Sequence, residues 1–142
     1  MAKIMIYEDN ESDLINRYSI LTSKHDIHVR AGKKLWDELS YLRRIRETDL
    51  DDELKAAGFD INKICELSDK IEEADIYFTD GLSGGCFYWL EKLPAGKIFL
   101  NSDNYGLELK AKEKGYEKQI LTESPLSLVE RLLKEGKLKW KT

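Results

Sequence analysis

The segment Lys3-Ile-Met-Ile-Tyr7, cut off by Glu8-Asp9-Asn10, limits the fold of this chain more than any other feature. An apolar run this short, ending this abruptly, reads as a strand buried on both faces, and such strands lie inside parallel sheets covered by helices. The next residues agree. Leu14, Ile15, Tyr18 and Leu21 fall on one helical face, Asn10 stands at the N-cap, and Glu11 and Asp13 fill a first turn where the helix dipole favours acids.

The same alternation predicts further strands over 26–30, 75–79, 97–100 and 119–121. A second helix carries Leu35, Trp36, Leu39 and Leu42 on one side, and a third carries Phe87, Trp89, Leu90 and Leu93. A weaker helix is predicted over 107–114, and a last one starts at Pro125 with Leu128, Val129, Leu132 and Leu133 inward. Residues 48–74 exceed what a simple crossover needs. They are expected to form a helical elaboration, with one helix over 49–57 ended by Gly58 and another marked by Ile61, Ile64, Cys65, Ser68 and Ile71. The predicted class is α/β, a single domain over 1–142 with a five-stranded parallel sheet between two helical layers.

Composition sets the outer limits. A chain of 142 residues, 42% hydrophobic and 35% charged, suits one globular core with a charged surface. Its net charge of −4 offers no positive field for nucleic acid or anionic lipid, and Arg43, Arg44, Arg46 and the basic residues of 134–141 read as solvated faces. Cys65 and Cys86 lack CxxC spacing and read as reduced core thiols. Without a leader pattern or an apolar run of ~18 residues, no membrane association is expected, and the cytoplasm is the expected location.

Ligands of open parallel sheets bind beyond the carboxyl ends of the strands. Those ends carry Glu8 and Asp9 after strand one, Asp80 after strand three, Asn101 and Ser102 after strand four, and Thr122, Glu123 and Ser124 after strand five. Converging carboxylates need protonation, solvation or a bridging cation, and Mg²⁺ suits an oxygen-rich, partly hydrated site.

These segments resemble the receiver domain of bacterial response regulators. Ile4-Met-Ile-Tyr-Glu-Asp-Asn10 is similar to its opening strand and acidic pair, Ile76-Tyr-Phe-Thr-Asp80 to the strand bearing its phosphoacceptor, and Ile98-Phe-Leu-Asn-Ser102 to its fourth strand. Pro125-Leu-Ser-Leu-Val-Glu-Arg-Leu-Leu133 resembles its last helix. The resemblance implies a flavodoxin-like, CheY-like three-layer sandwich in which Glu8, Asp9 and Asp80 hold Mg²⁺. It also implies that Asp80 takes a phosphoryl group from a partner histidine kinase and that Ser102, or Asn101 in the alternative alignment, contacts it.

The chain departs from that pattern at one decisive place. Where receivers carry a lysine before the last proline, this sequence reads Thr122-Glu123-Ser124-Pro125. The expectation is therefore an atypical receiver-like signalling domain acting through protein contacts, with a kinase or a downstream regulator as partner and with phosphorylation impaired or absent. The alternatives are a working Mg²⁺-dependent phosphoacceptor at Asp80 and an interaction domain that keeps only the fold. Gly81-Leu-Ser-Gly-Gly85 also matches the G-x-S-x-G of a hydrolase elbow, but both histidines, His25 and His28, precede Ser83, and the loop reads better as a tight turn. Trp36, Trp89 and Trp140 read as core and rim residues.

Overall fold

The computed structural model describes residues 1–138. Trp140 and the last lysines of the basic tail lie outside the described residues. The chain runs β1 (Lys3–Glu8), α1 (Glu11–Tyr18), β2 (Asp26–Ala31), α2 (Lys33–Arg44), α3 (Asp49–Ala56), β3 (Ile64–Glu66), β4 (Ile76–Thr79), α4 (Cys86–Lys92), β5 (Ile98–Leu100), α5 (Tyr105–Glu113) and α6 (Pro125–Lys134). All five strands are parallel, in the order β3-β2-β1-β4-β5.

Strand periodicity divides the core into two layers. Ile4 and Ile6 of β1 join Leu14 and Tyr18 of α1, Leu35 and Leu39 of α2, Leu54 of α3, and Leu128, Val129 and Leu132 of α6. Met5 and Tyr7 point the other way, to Trp89 and Leu90 of α4 and Ala111 of α5. Each large apolar side chain buried in this way contributes roughly 1.5–3 kcal/mol. Polar caps set the helix starts: Asn10 Oδ1 accepts from the Asp13 amide at 3.0 Å, and Ser124 Oγ accepts from the Ser127 amide at 3.2 Å.

Two expectations change here. The second helix expected in residues 48–74 is absent: a short 3-10 turn over Ile61–Lys63 leads into β3, and no regular element follows up to β4. Of its five marker residues only Ile64 is buried, while Cys65 and Ile71 are exposed, so no helical stripe has anything to pack against. Pairing Val29 with Ile64 and Ala31 with Glu66 instead occupies the open edge of β2. The strand expected over 119–121 shrinks to a single parallel bridge between Leu100 and Ile120, because a 3-10 turn at Glu117–Gln119 and the cap of α6 leave no length for more.

β3 also alters the topology. Without it, β2-β1-β4-β5 with the Ile120 bridge is compatible with a flavodoxin-like fold. With it, the order is the 3-2-1-4-5 of doubly wound dinucleotide-binding sheets. In both descriptions the order reverses between β1 and β4. No described helix is long and apolar enough to cross a membrane.

Candidate functional site

The reversal sets the carboxyl ends of β1 and β4 side by side: Tyr7 pairs with Thr79, and the Asp80 amide donates to the Tyr7 carbonyl at 2.9 Å. Period-two alternation puts Glu8 on the Ile4 and Ile6 face, beneath α1, where it is fully buried. Arg17, in the last turn of α1, meets it there. Arg17 Nη1 lies 3.2 Å from Glu8 Oε1, 3.2 Å from Asp80 Oδ1 and 3.0 Å from the Asn101 carbonyl oxygen. Its Nη2 lies 2.7 Å from Asp103 Oδ2 and 3.7 Å from Asp13 Oδ2. One guanidinium thus touches four carboxylates.

Burial pushes the Glu8 carboxyl up to about 9, with the Asp80 charge adding to the shift and the Asp9 amide and Arg17 opposing it. Burial also raises the Asp9 carboxyl, and the charge of Asp80 and a hydrogen bond with it push in the same direction. At Arg17 burial works against the charge, but the Asp103 hydrogen bond and the Glu8 and Asp13 charges outweigh it, and the pKa rises. Near neutral pH Glu8 therefore meets Arg17 as a protonated acid.

Asp80 has both oxygens engaged. Oδ1 faces Arg17, and Oδ2 accepts from the Leu82 amide at 3.2 Å across a turn in which Leu82 and Ser83 adopt positive φ of 50° and 54°. Asp9, Asp13, Arg17, Asp80, Gly81, Ser102 and Asp103 line a hollow of about 250 Å³. Gly81 keeps the hollow open, since a Cβ on it would stand 2.5 Å from Leu107 Cδ1 and 3.1 Å from Ser102 Oγ and would push the Leu107 side chain aside.

The expected site residues separate into two groups. Glu8, Asp9, Asp80 and Ser102 come together. Asn101 does not add its side chain to the hollow, because its Nδ2 donates to the buried Tyr18 hydroxyl at 3.1 Å. Glu123 pairs with Arg131 at 3.1 Å, and Ser124 caps α6. At the place of the missing lysine, Glu123 is thus paired at the surface and turned to α6.

The carboxylate oxygens that converge within 4.8 Å belong to Glu8, Asp13 and Asp80 rather than to Asp9. Such oxygen donors are of the kind that Mg²⁺ takes. Arg17 Nη1 already sits between the Glu8 and Asp80 carboxyl groups, at 3.2 Å from an oxygen of each, so ion and guanidinium do not fit together. Nor does the turn after β1 suit a nucleotide phosphate: where dinucleotide-binding sheets place glycines, this chain has Glu8 and Asp9.

Sequence reading missed Arg17, Asp13 and Asp103. A signal existed for Arg17, a charged residue three positions after Leu14 and four before Leu21 and so on the inward stripe of its helix. The β2–α2 side carries a second crevice of about 740 Å³, lined by Asp9, Lys34, Leu67, Leu82, Tyr88 and Trp89. On the face it shares with Met5 and Tyr7, β2 carries half-buried residues. There Arg30 of β2 is held by Glu72 through Nε at 2.6 Å and Nη2 at 2.9 Å. The hydrolase reading finds no base: His25 Nδ1 accepts from the Ala2 amide at the amino end of the sheet, away from Ser83.

Comparison of the chain with protein-family models, with curated proteins and with solved structures finds no match.

Proposed function

We propose that this chain is an atypical receiver-like signalling domain of the cytoplasm that works through protein contacts and does not depend on a phosphoryl group at Asp80. The observation that carries this reading is the contact of Arg17 Nη1 with both Glu8 and Asp80 at 3.2 Å. A fixed internal cation gives the acidic site the charge balance that a receiver obtains from metal and lysine, and it leaves the Asp80 oxygens engaged. The partner is a protein, a kinase or a downstream regulator.

A second reading, a working Mg²⁺-dependent phosphoacceptor at Asp80, draws on the clustering of Glu8, Asp13 and Asp80 oxygens. Mass spectrometry and amide NMR after incubation with Mg²⁺ and a small phosphodonor or beryllofluoride distinguish the two. The proposed reading predicts no adduct; an adduct lost in Asp80→Asn establishes the second.

A further inference from the structure

We propose that Arg17 is a built-in cation that keeps divalent metal out of the pocket, so that Glu8, Asp13 and Asp80 accept such an ion only when the guanidinium is withdrawn. The inference rests on the reading above only in taking this pocket as the functional one.

Three contacts set the competition. Arg17 holds one oxygen of each carboxyl group in the cluster: Glu8 Oε1 and Asp80 Oδ1 at 3.2 Å from Nη1, and Asp13 Oδ2 at 3.7 Å from Nη2. A cation entering among them meets a like charge and finds its ligand lone pairs directed at N–H groups. Arg17 also has an advantage over Mg²⁺, because guanidinium is weakly hydrated while Mg²⁺ dehydrates reluctantly.

The backbone under Arg17 is fixed. Leu14 and Tyr18, on the same helical face, are completely buried, so withdrawal means rotation of the side chain alone. Asp103 marks the outward path. Its side chain is 89% exposed, yet it makes the closest ion pair of Arg17, 2.7 Å, and so holds the guanidinium at the solvent edge of the pocket. The Asn101 carbonyl, at 3.0 Å, anchors it from within. Withdrawing Arg17 would leave these three carboxyl groups without their internal cation, which favours a divalent ion in its place.

Mn²⁺ serves as the probe, followed by water-proton relaxation and by electron paramagnetic resonance, with no phosphodonor present. The wild-type chain is expected to show no site at millimolar Mn²⁺. Arg17→Gln is expected to gain one at least tenfold tighter, displaced by Mg²⁺ and lost when Asp80→Asn is added. Arg17→Lys, which keeps a cation, is expected to stay closed. A wild-type site as tight as that of Arg17→Gln overturns the inference, as does a folded Arg17→Gln that gains none.

The wild-type protein provides a readout that needs no variant. The Arg17 side-chain nitrogen resonances are expected to keep their shifts in millimolar Mg²⁺, and their displacement together with Asp80 overturns the inference. A phosphoryl-type adduct at Asp80 would instead defeat the proposed function, so the two failures are distinguishable.

Discussion

Arg17, in the last turn of α1, and Asp80, just beyond β4, lie 63 positions apart in sequence and 3.2 Å apart in space. That pair closes the crevice between β1 and β4, and the Asn101 carbonyl and Asp103 extend the same guanidinium to the loop after β5. Removing Arg17 leaves a partly buried Asp80 without its cation and a buried Glu8 without that hydrogen-bond donor. Breaking a fully buried pair costs about 3–5 kcal/mol, and partial solvent access here lowers the expected loss for Arg17→Gln to roughly 2 kcal/mol. Urea unfolding checks this, and Arg17→Lys is expected to recover part of the loss.

Glu8 makes folding pH-dependent. Its carboxyl, ordinarily near 4.5, is raised to about 9 in the folded chain, mainly by burial. Between those values the folded protein holds a proton that the unfolded chain has released, so this residue lowers stability as pH rises through that window. Glu8→Gln, which imitates the protonated acid, is expected to flatten that slope and to raise the melting temperature most at the alkaline end. Thermal unfolding of both proteins across the window measures it; parallel slopes contradict it.

Tyr7 presents a hydroxyl with an energetic cost. It is buried, its ring stacks on Trp89 at a centroid distance of 4.2 Å, and its Oη has no hydrogen-bond partner among the described residues. Tyr7→Phe keeps the stack and removes the unsatisfied oxygen, so it is expected to stabilise by about 1 kcal/mol in the same urea assay.

Much of the architecture was legible because hydrophobic period and capping chemistry agree locally. The run Ile4-Met-Ile-Tyr7, the Asn10 cap and the inward faces of α1 and α6 carry both signals, and the structure follows them. β3 was not legible. Its single buried residue, Ile64, gives no period, and what fixes the strand is the vacant edge of β2, a tertiary fact. In the site, Glu8, Asp9 and Asp80 could be placed because Glu8 ends a strand and Asp9 and Asp80 directly follow one. Arg17 lies in the last turn of a helix, and its meaning depends on which carboxyl groups the topology brings beneath it.

The most direct test of the account is a high-resolution crystal structure of the protein grown with Mg²⁺ and beryllofluoride. The account predicts Arg17 Nη1 in contact with both Glu8 and Asp80, with neither metal nor adduct between them. Mg²⁺ bound among Glu8, Asp13 and Asp80, beryllofluoride on Asp80 and Arg17 turned outward would contradict it.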